Sequence, residues 1–140
     1  MDKNGLVTVP SRHSVGETID RLAGIVQGAG LLVFARIDHA AGARGAGMTL
    51  RPTELLIFGN PKGGTPLMQD RQTAGIDLPV KALAWEDEAG KVWLSWNDPH
   101  WIAARHGLGP ASAEAVAAVA AGMDKVIAAA AGDAAEEDKR

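Results

Sequence analysis

The side chains that could do chemistry here are few: four histidines, a handful of strand-end carboxylates, one lysine in a glycine-rich stretch, and four tryptophans. His39 follows Asp38, and a neighbouring carboxylate can orient and tune an imidazole. Together with Glu54 they support one reading, a cofactor-independent enzyme in which His39 works with Asp38 or Glu54 as acid and base. No nucleophile or second acid accompanies them, and Glu54 close to Arg51 reads more simply as a local ion pair than as an acid catalyst. The histidines His13, His39, His100 and His106 lack metal-ligand spacing; His100 and His106 stand six apart, on different faces of a helix. Neither a metal nor a cofactor is expected. At a helix C-terminus, His106 has a structural reason to exist, because the dipole favours its protonated form.

Lys62 belongs to the stretch Arg51–Pro66, in which an aliphatic run, Leu55-Leu56-Ile57-Phe58, leads into Gly59-Asn60-Pro61-Lys62-Gly63-Gly64-Thr65-Pro66. A short apolar run bounded by turn residues reads as a buried strand feeding a shaped loop. Backbone amides of Gly59–Thr65 with Lys62 could face an anion at a helix start. A phosphate loop, however, needs its lysine directly after the second glycine, and Lys62 precedes Gly63-Gly64. A structural turn is the simpler account. The tryptophans give the better binding argument: Trp85, Trp93, Trp96 and Trp101 crowd into one stretch of a chain without tyrosine. An aromatic wall with Asn60, Asn97 and His100 at its rim would suit a flat, partly polar molecule. The expected ligand-binding residues are Phe58, Asn60, Lys62, Trp96, Asn97 and His100.

Several elements must position these groups. Gly5–Pro10 alternates as an opening strand. Ser14 and Glu17 have the spacing of a capping box, followed by a helical stripe of Val15, Ile19, Leu22 and Val26. Leu31–Asp38 is a second strand with Leu31, Val33, Ala35 and Ile37 on one face. His39–Gly47 reads as a loop or short helix. Thr65-Pro66 reads as N-cap and first residue of a short helix. Val80–Glu86 and Lys91–Trp96 form a hairpin across Asp87–Gly90, with apolar residues on both faces. Asp98 caps a helix from Pro99 to His106, and Ala111–Ala131 is an alanine-rich helix. The order predicts an α+β two-layer sandwich with a mostly antiparallel sheet. An apolar hairpin face turned away from the helices needs a cover, either a ligand or a second subunit, and a homodimer is the commoner solution.

Composition narrows the classes. At 140 residues, with 46% hydrophobic and 22% charged residues, the chain fits one globular domain. Its net charge of −3 and scattered basic residues argue against nucleic acid. The absence of cysteine excludes thiol catalysis and disulfides. Neither a leader-like start nor a run of ~18 apolar residues is present, so a cytoplasmic protein without membrane contact is expected.

Taken together, Ile37-Asp38-His39, Arg51-Pro52-Thr53-Glu54, Phe58-Gly59-Asn60-Pro61-Lys62, Gly64-Thr65-Pro66-Leu67-Met68, Asp77-Leu78-Pro79, Trp85-Glu86-Asp87, Asn97-Asp98-Pro99 and Arg105-His106-Gly107 resemble the bacterial domain-of-unknown-function family 302. The resemblance covers roughly Gly5 to Leu108. It implies a β-α-β4-α architecture of the TATA-box-binding-protein-like kind, without DNA binding, and pairing as homodimers. It implies no activity. The domain is thus expected at 1–108, with the helix 109–131 packed on it as an extra element and 132–140 as a charged tail. The functional expectation is a small homodimeric domain that binds a small molecule or a partner protein at the sheet and the 59–65 loop, with the His39 enzyme as the alternative.

Overall fold

The computed structural model describes residues 4–132; the charged tail expected beyond Gly132 lies outside them. Five strands, β1 (Leu6–Ser11), β2 (Leu32–Asp38), β3 (Thr53–Gly59), β4 (Val80–Glu86) and β5 (Val92–Asn97), form one sheet in the order β1-β5-β4-β3-β2. Every neighbouring pair is antiparallel. The helices are α1 (Val15–Gly28), α2 (His39–Gly45), α3 (Pro61–Asp70), α4 (Pro99–His106) and α5 (Pro110–Ala131), with a 3-10 helix at Gln72–Asp77. The α+β class and the antiparallel sheet are as the sequence predicts.

One sheet face makes the core. Val80, Ala82 and Ala84 of β4, Val92, Leu94 and Trp96 of β5, and Leu56 and Phe58 of β3 meet Ile19, Leu22 and Val26 of α1. Met123, Val126, Ile127 and Ala130 of α5 close the same cluster. Contiguous apolar burial of this kind is the dominant favourable contribution to the fold. Pro10 is tolerated because β1 is an edge strand.

The other face carries Leu55, Ile57, Leu83, Trp85 and Trp93, each partly exposed. Trp85 and Trp93 stack at 6.3 Å between ring centroids. Both indoles have polar partners: Trp93 Nε1 donates to Asp87 Oδ2 at 2.8 Å and Trp85 Nε1 to Ser95 Oγ at 2.9 Å. Lys91 Nζ lies 4.5 Å from the Trp93 ring centre, a cation–π distance. The hairpin is apolar on both sides, as its alternation requires.

Three local expectations are revised, and one open alternative is resolved. The β2 register shifts between Val33 and Ala35, so Val33 and Arg36 share the core side with Phe58 and Leu56, while Ala35 and Ile37 pair with Ile57 and Leu55. A bulge adds one residue, and the apolar face read from Leu31 to Ile37 is split across the sheet. The capping box is half made: Ser14 Oγ accepts from Glu17 N, but the Glu17 carboxylate turns to His13 Nδ1 at 3.4 Å. His39–Gly45 is helical, capped by Asp38. Lastly, α3 starts at Pro61, not Pro66: Asn60 is the N-cap, its side chain accepting from Lys62 N at 2.9 Å, and Pro61 takes the first turn. Asn60-Pro61 is as good a start as Thr65-Pro66 and comes first. Gly63 and Gly64 are therefore helical, not loop.

Candidate functional site

The shape of the site follows from how β3 hands over to α3. Phe58 and Val80 are register partners at the end of the β3–β4 ladder, and Leu32 pairs with Gly59 beside them. Past Gly59, α3 turns back and packs on α5. Gly63 faces Val119 and Gly64 faces Leu78, at distances where a β-carbon would make ordinary contact, 3.5 Å from Val119 Cγ2 and 3.7 Å from Leu78 Cδ1. Between the sheet end, α3 and the middle of α5 a cavity of about 430 Å³ remains. That volume lies within the range of small-molecule sites.

Its walls are apolar. Leu31, Phe34, Phe58 and Val80 come from the sheet side, Met68, Leu78 and Pro79 from the far side of α3, and Ala118, Val119, Gly122 and Met123 from α5. Asn60 and Thr65 supply the only polar side chains of the lining, and none of its residues is ionisable. Because Asn60 Oδ1 already accepts from the Lys62 amide, the NH2 group of Asn60 is the part left to donate.

Of the residues expected to bind a ligand, Phe58 and Asn60 are on this wall. Lys62 is in the first turn of α3, exposed and outside the lining. Trp96 is 7% exposed and points into the core between Ala82 and Val7. Asn97 ends β5 opposite Leu6, and His100 is exposed on α4. The aromatic wall is not assembled: Trp85 and Trp93 share the outer sheet face, Trp96 the core, and Trp101 packs against Gly5, where a β-carbon would come within 2.3 Å of its ring. Sequence reasoning missed Leu78, Val119 and Gly122. The visible signal for Gly122 is a glycine inside an alanine-rich helix.

Two of the three candidate acid–base residues, Asp38 and Glu54, have structural partners. His39 is exposed at the start of α2, and Asp38 Oδ1 caps that helix by accepting from Ala41 N at 2.9 Å. Glu54 Oε1 accepts from Arg36 Nε at 2.9 Å, and Arg36 also reaches Asp20 Oδ1 at 2.6 Å. The hydrogen bond to Glu54, and after it the one to Asp20, holds the Arg36 guanidinium pKa above its ordinary value.

A second polar cluster binds the 3-10 helix to α4. His106 Nε2 lies 2.6 Å from Asp77 Oδ2 and its Nδ1 3.0 Å from Thr73 Oγ1, while Arg105 Nη1 lies 3.0 Å from both Asp77 oxygens. Elsewhere, Asp70 Oδ2 accepts from Ser112 Oγ at 2.7 Å and Gly109 N at 3.0 Å, doing for the start of α5 what the glycine N-cap cannot. Those two hydrogen bonds, Ser112 foremost, lower the Asp70 pKa. The Asp87 carboxyl is lowered likewise, first by Trp93 and then by the Lys91 amide. Among the described residues no group of metal-ligating side chains comes together.

The comparison with known families decides the affiliation: the model for "Domain of unknown function DUF302" matches residues 7–130. The chain belongs to the DUF302 family. The match runs through α5, so the last helix is part of the family's domain, where the sequence phrases alone had ended at Leu108. A crystal structure of an uncharacterised conserved DUF302 protein from Bacillus stearothermophilus superposes with a TM-score of 0.74 at 21% identity, covering 91% of this chain and 95% of that one. It shares the fold. The chain is also 58% identical over 130 residues to proteins named fluoride-specific ion channel from Brucella suis and Brucella abortus, covering 93% of this chain but 51% and 48% of theirs. It therefore spans about half the length of the curated relatives it matches. No helix among the described residues is long and apolar enough to cross a membrane.

Proposed function

We propose that this DUF302 domain is a small-molecule-binding module whose site is the cavity between the β3–α3 junction and α5. The observation that carries the reading is the cavity itself: about 430 Å³, walled by two helices and the sheet end, with two polar side chains set in an apolar lining. Such a composition holds a guest by burial and orients it by a few hydrogen bonds. Its lining holds no acid or base; Glu54 and Asp38 stand elsewhere with structural partners, and His39 is exposed at the start of α2. Native mass spectrometry of protein purified without denaturation tests the reading. A bound mass that is absent from Gly122→Leu supports it; a bound mass unaffected by that substitution contradicts it.

The outer sheet face supports the pairing of two copies, since Leu55, Ile57, Leu83, Trp85 and Trp93 would otherwise remain partly wet. Light scattering after size exclusion reads the mass directly, and a monomer at micromolar concentration removes the homodimer.

A second reading rests on the 58% identity to half of the proteins named fluoride channels. In that setting the domain would serve as the ligand-responsive half of a longer protein whose other half conducts. Fluoride efflux from proteoliposomes of the Brucella suis relative, with and without the matching half, tests it. Conduction that survives the removal fits an accessory domain; conduction abolished by it does not.

A further inference from the structure

We infer that the cavity selects an uncharged, largely apolar molecule carrying one hydrogen-bonding group, an inference that rests on the small-molecule reading above and names the ligand's class. The wall decides the charge. No Lys, Arg, His, Asp or Glu lines it, so a carboxylate or ammonium brought inside would lose hydration with no partner. The Lys62 side chain, the one cation of α3, is exposed and outside the lining. The rest of the wall is apolar: Leu31, Leu78, Val119 and Met123, with the rings of Phe34 and Phe58, surround the space. Methionine side chains adapt to guests of different length. The Asn60 amide, with its oxygen already engaged, leaves an N–H donor for a hydroxyl or carbonyl oxygen.

Gly122 lines the space without a side chain. Glycine in a helix interior is disfavoured, and an added β-carbon there would meet nothing within 4 Å. Neither backbone strain nor a close neighbour requires it, because its φ is not positive. The absent side chain belongs to the cavity.

Isothermal titration with three probes of one chain length, 1-octanol, octanoate and octylammonium at neutral pH, tests the charge rule on the intact protein. The alcohol is expected to bind at least tenfold tighter than either ion, and affinity to rise about fourfold per added methylene from hexanol to decanol. Gly122→Leu is expected to weaken octanol at least tenfold without lowering the unfolding temperature. Octanoate or octylammonium binding as tightly as the alcohol would overturn the uncharged class while leaving the binding reading intact. Binding by none of the three, or octanol binding indifferent to Gly122→Leu, would overturn both.

Discussion

Gly122→Ala is the cleanest probe of the space beside α5. In a helix interior glycine is about 1 kcal/mol less favourable than alanine. Here nothing offsets that gain, since the new β-carbon finds no atom within 4 Å and Gly122 is exposed. The substitution is expected to stabilise the protein by about 1 kcal/mol, raising the midpoint of thermal unfolding by about 3 °C for a domain of this size. Circular dichroism gives that shift. Urea unfolding followed by tryptophan fluorescence checks it through a higher midpoint at unchanged slope, the mark of a change in stability alone. Had Gly122 been needed for close packing, as Gly5 is against Trp101, the same change would cost stability. A fall in the melting temperature would refute the claim that this glycine borders open space.

Further outcomes follow from other contacts. Asp77→Ala strips His106 and Arg105 of their shared carboxylate; with the Asp77 and His106 side chains only 12% and 8% exposed, the loss is expected at about 2 kcal/mol, read by chemical denaturation. Asp70 and Asp87 have folded pKa values below their ordinary ones, so the unfolded chain binds more protons than the folded one in the acid range. The stability they contribute is complete above the ordinary carboxylate range and is lost as pH falls through the lowered values; in Asp70→Asn a pH titration of stability should show a shallower acid limb. Leu83→Lys on the outer face is expected to leave the fold intact and yield monomers by light scattering. His39→Ala should not alter the melting temperature or ligand affinity.

Much of the fold was legible because it rests on short-range rules. Asp98-Pro99, the Asp87–Gly90 turn and the αL glycine Gly107 behave as their residue types dictate. The alternation in β4 and β5 correctly assigns both faces of the hairpin. Failures occur where two local rules compete or a long-range contact decides. Asn60-Pro61 and Thr65-Pro66 are equivalent helix starts in sequence, and the first prevails. The β2 bulge has no residue signature, so Ile37 and Val33 were placed on one face when the register separates them. For the site, Phe58 and Asn60 were within reach because the strand-to-helix junction is local. Leu78, Val119 and Gly122 were not, since only the docking of α5 over α3 brings them there. Proximity along the chain likewise grouped four tryptophans that the pleat distributes to the core, the outer face and α4.

Glycine amides of the cavity wall and the indole N–H groups of the outer sheet face give separate signals in a nitrogen-correlated NMR spectrum, which makes ligand location directly readable. On titration with 1-octanol the account predicts that Gly59, Gly63, Gly64 and Gly122 shift together while the Trp85 and Trp93 indoles stay still. Shifts confined to those indoles, with the four glycines unmoved, would contradict it.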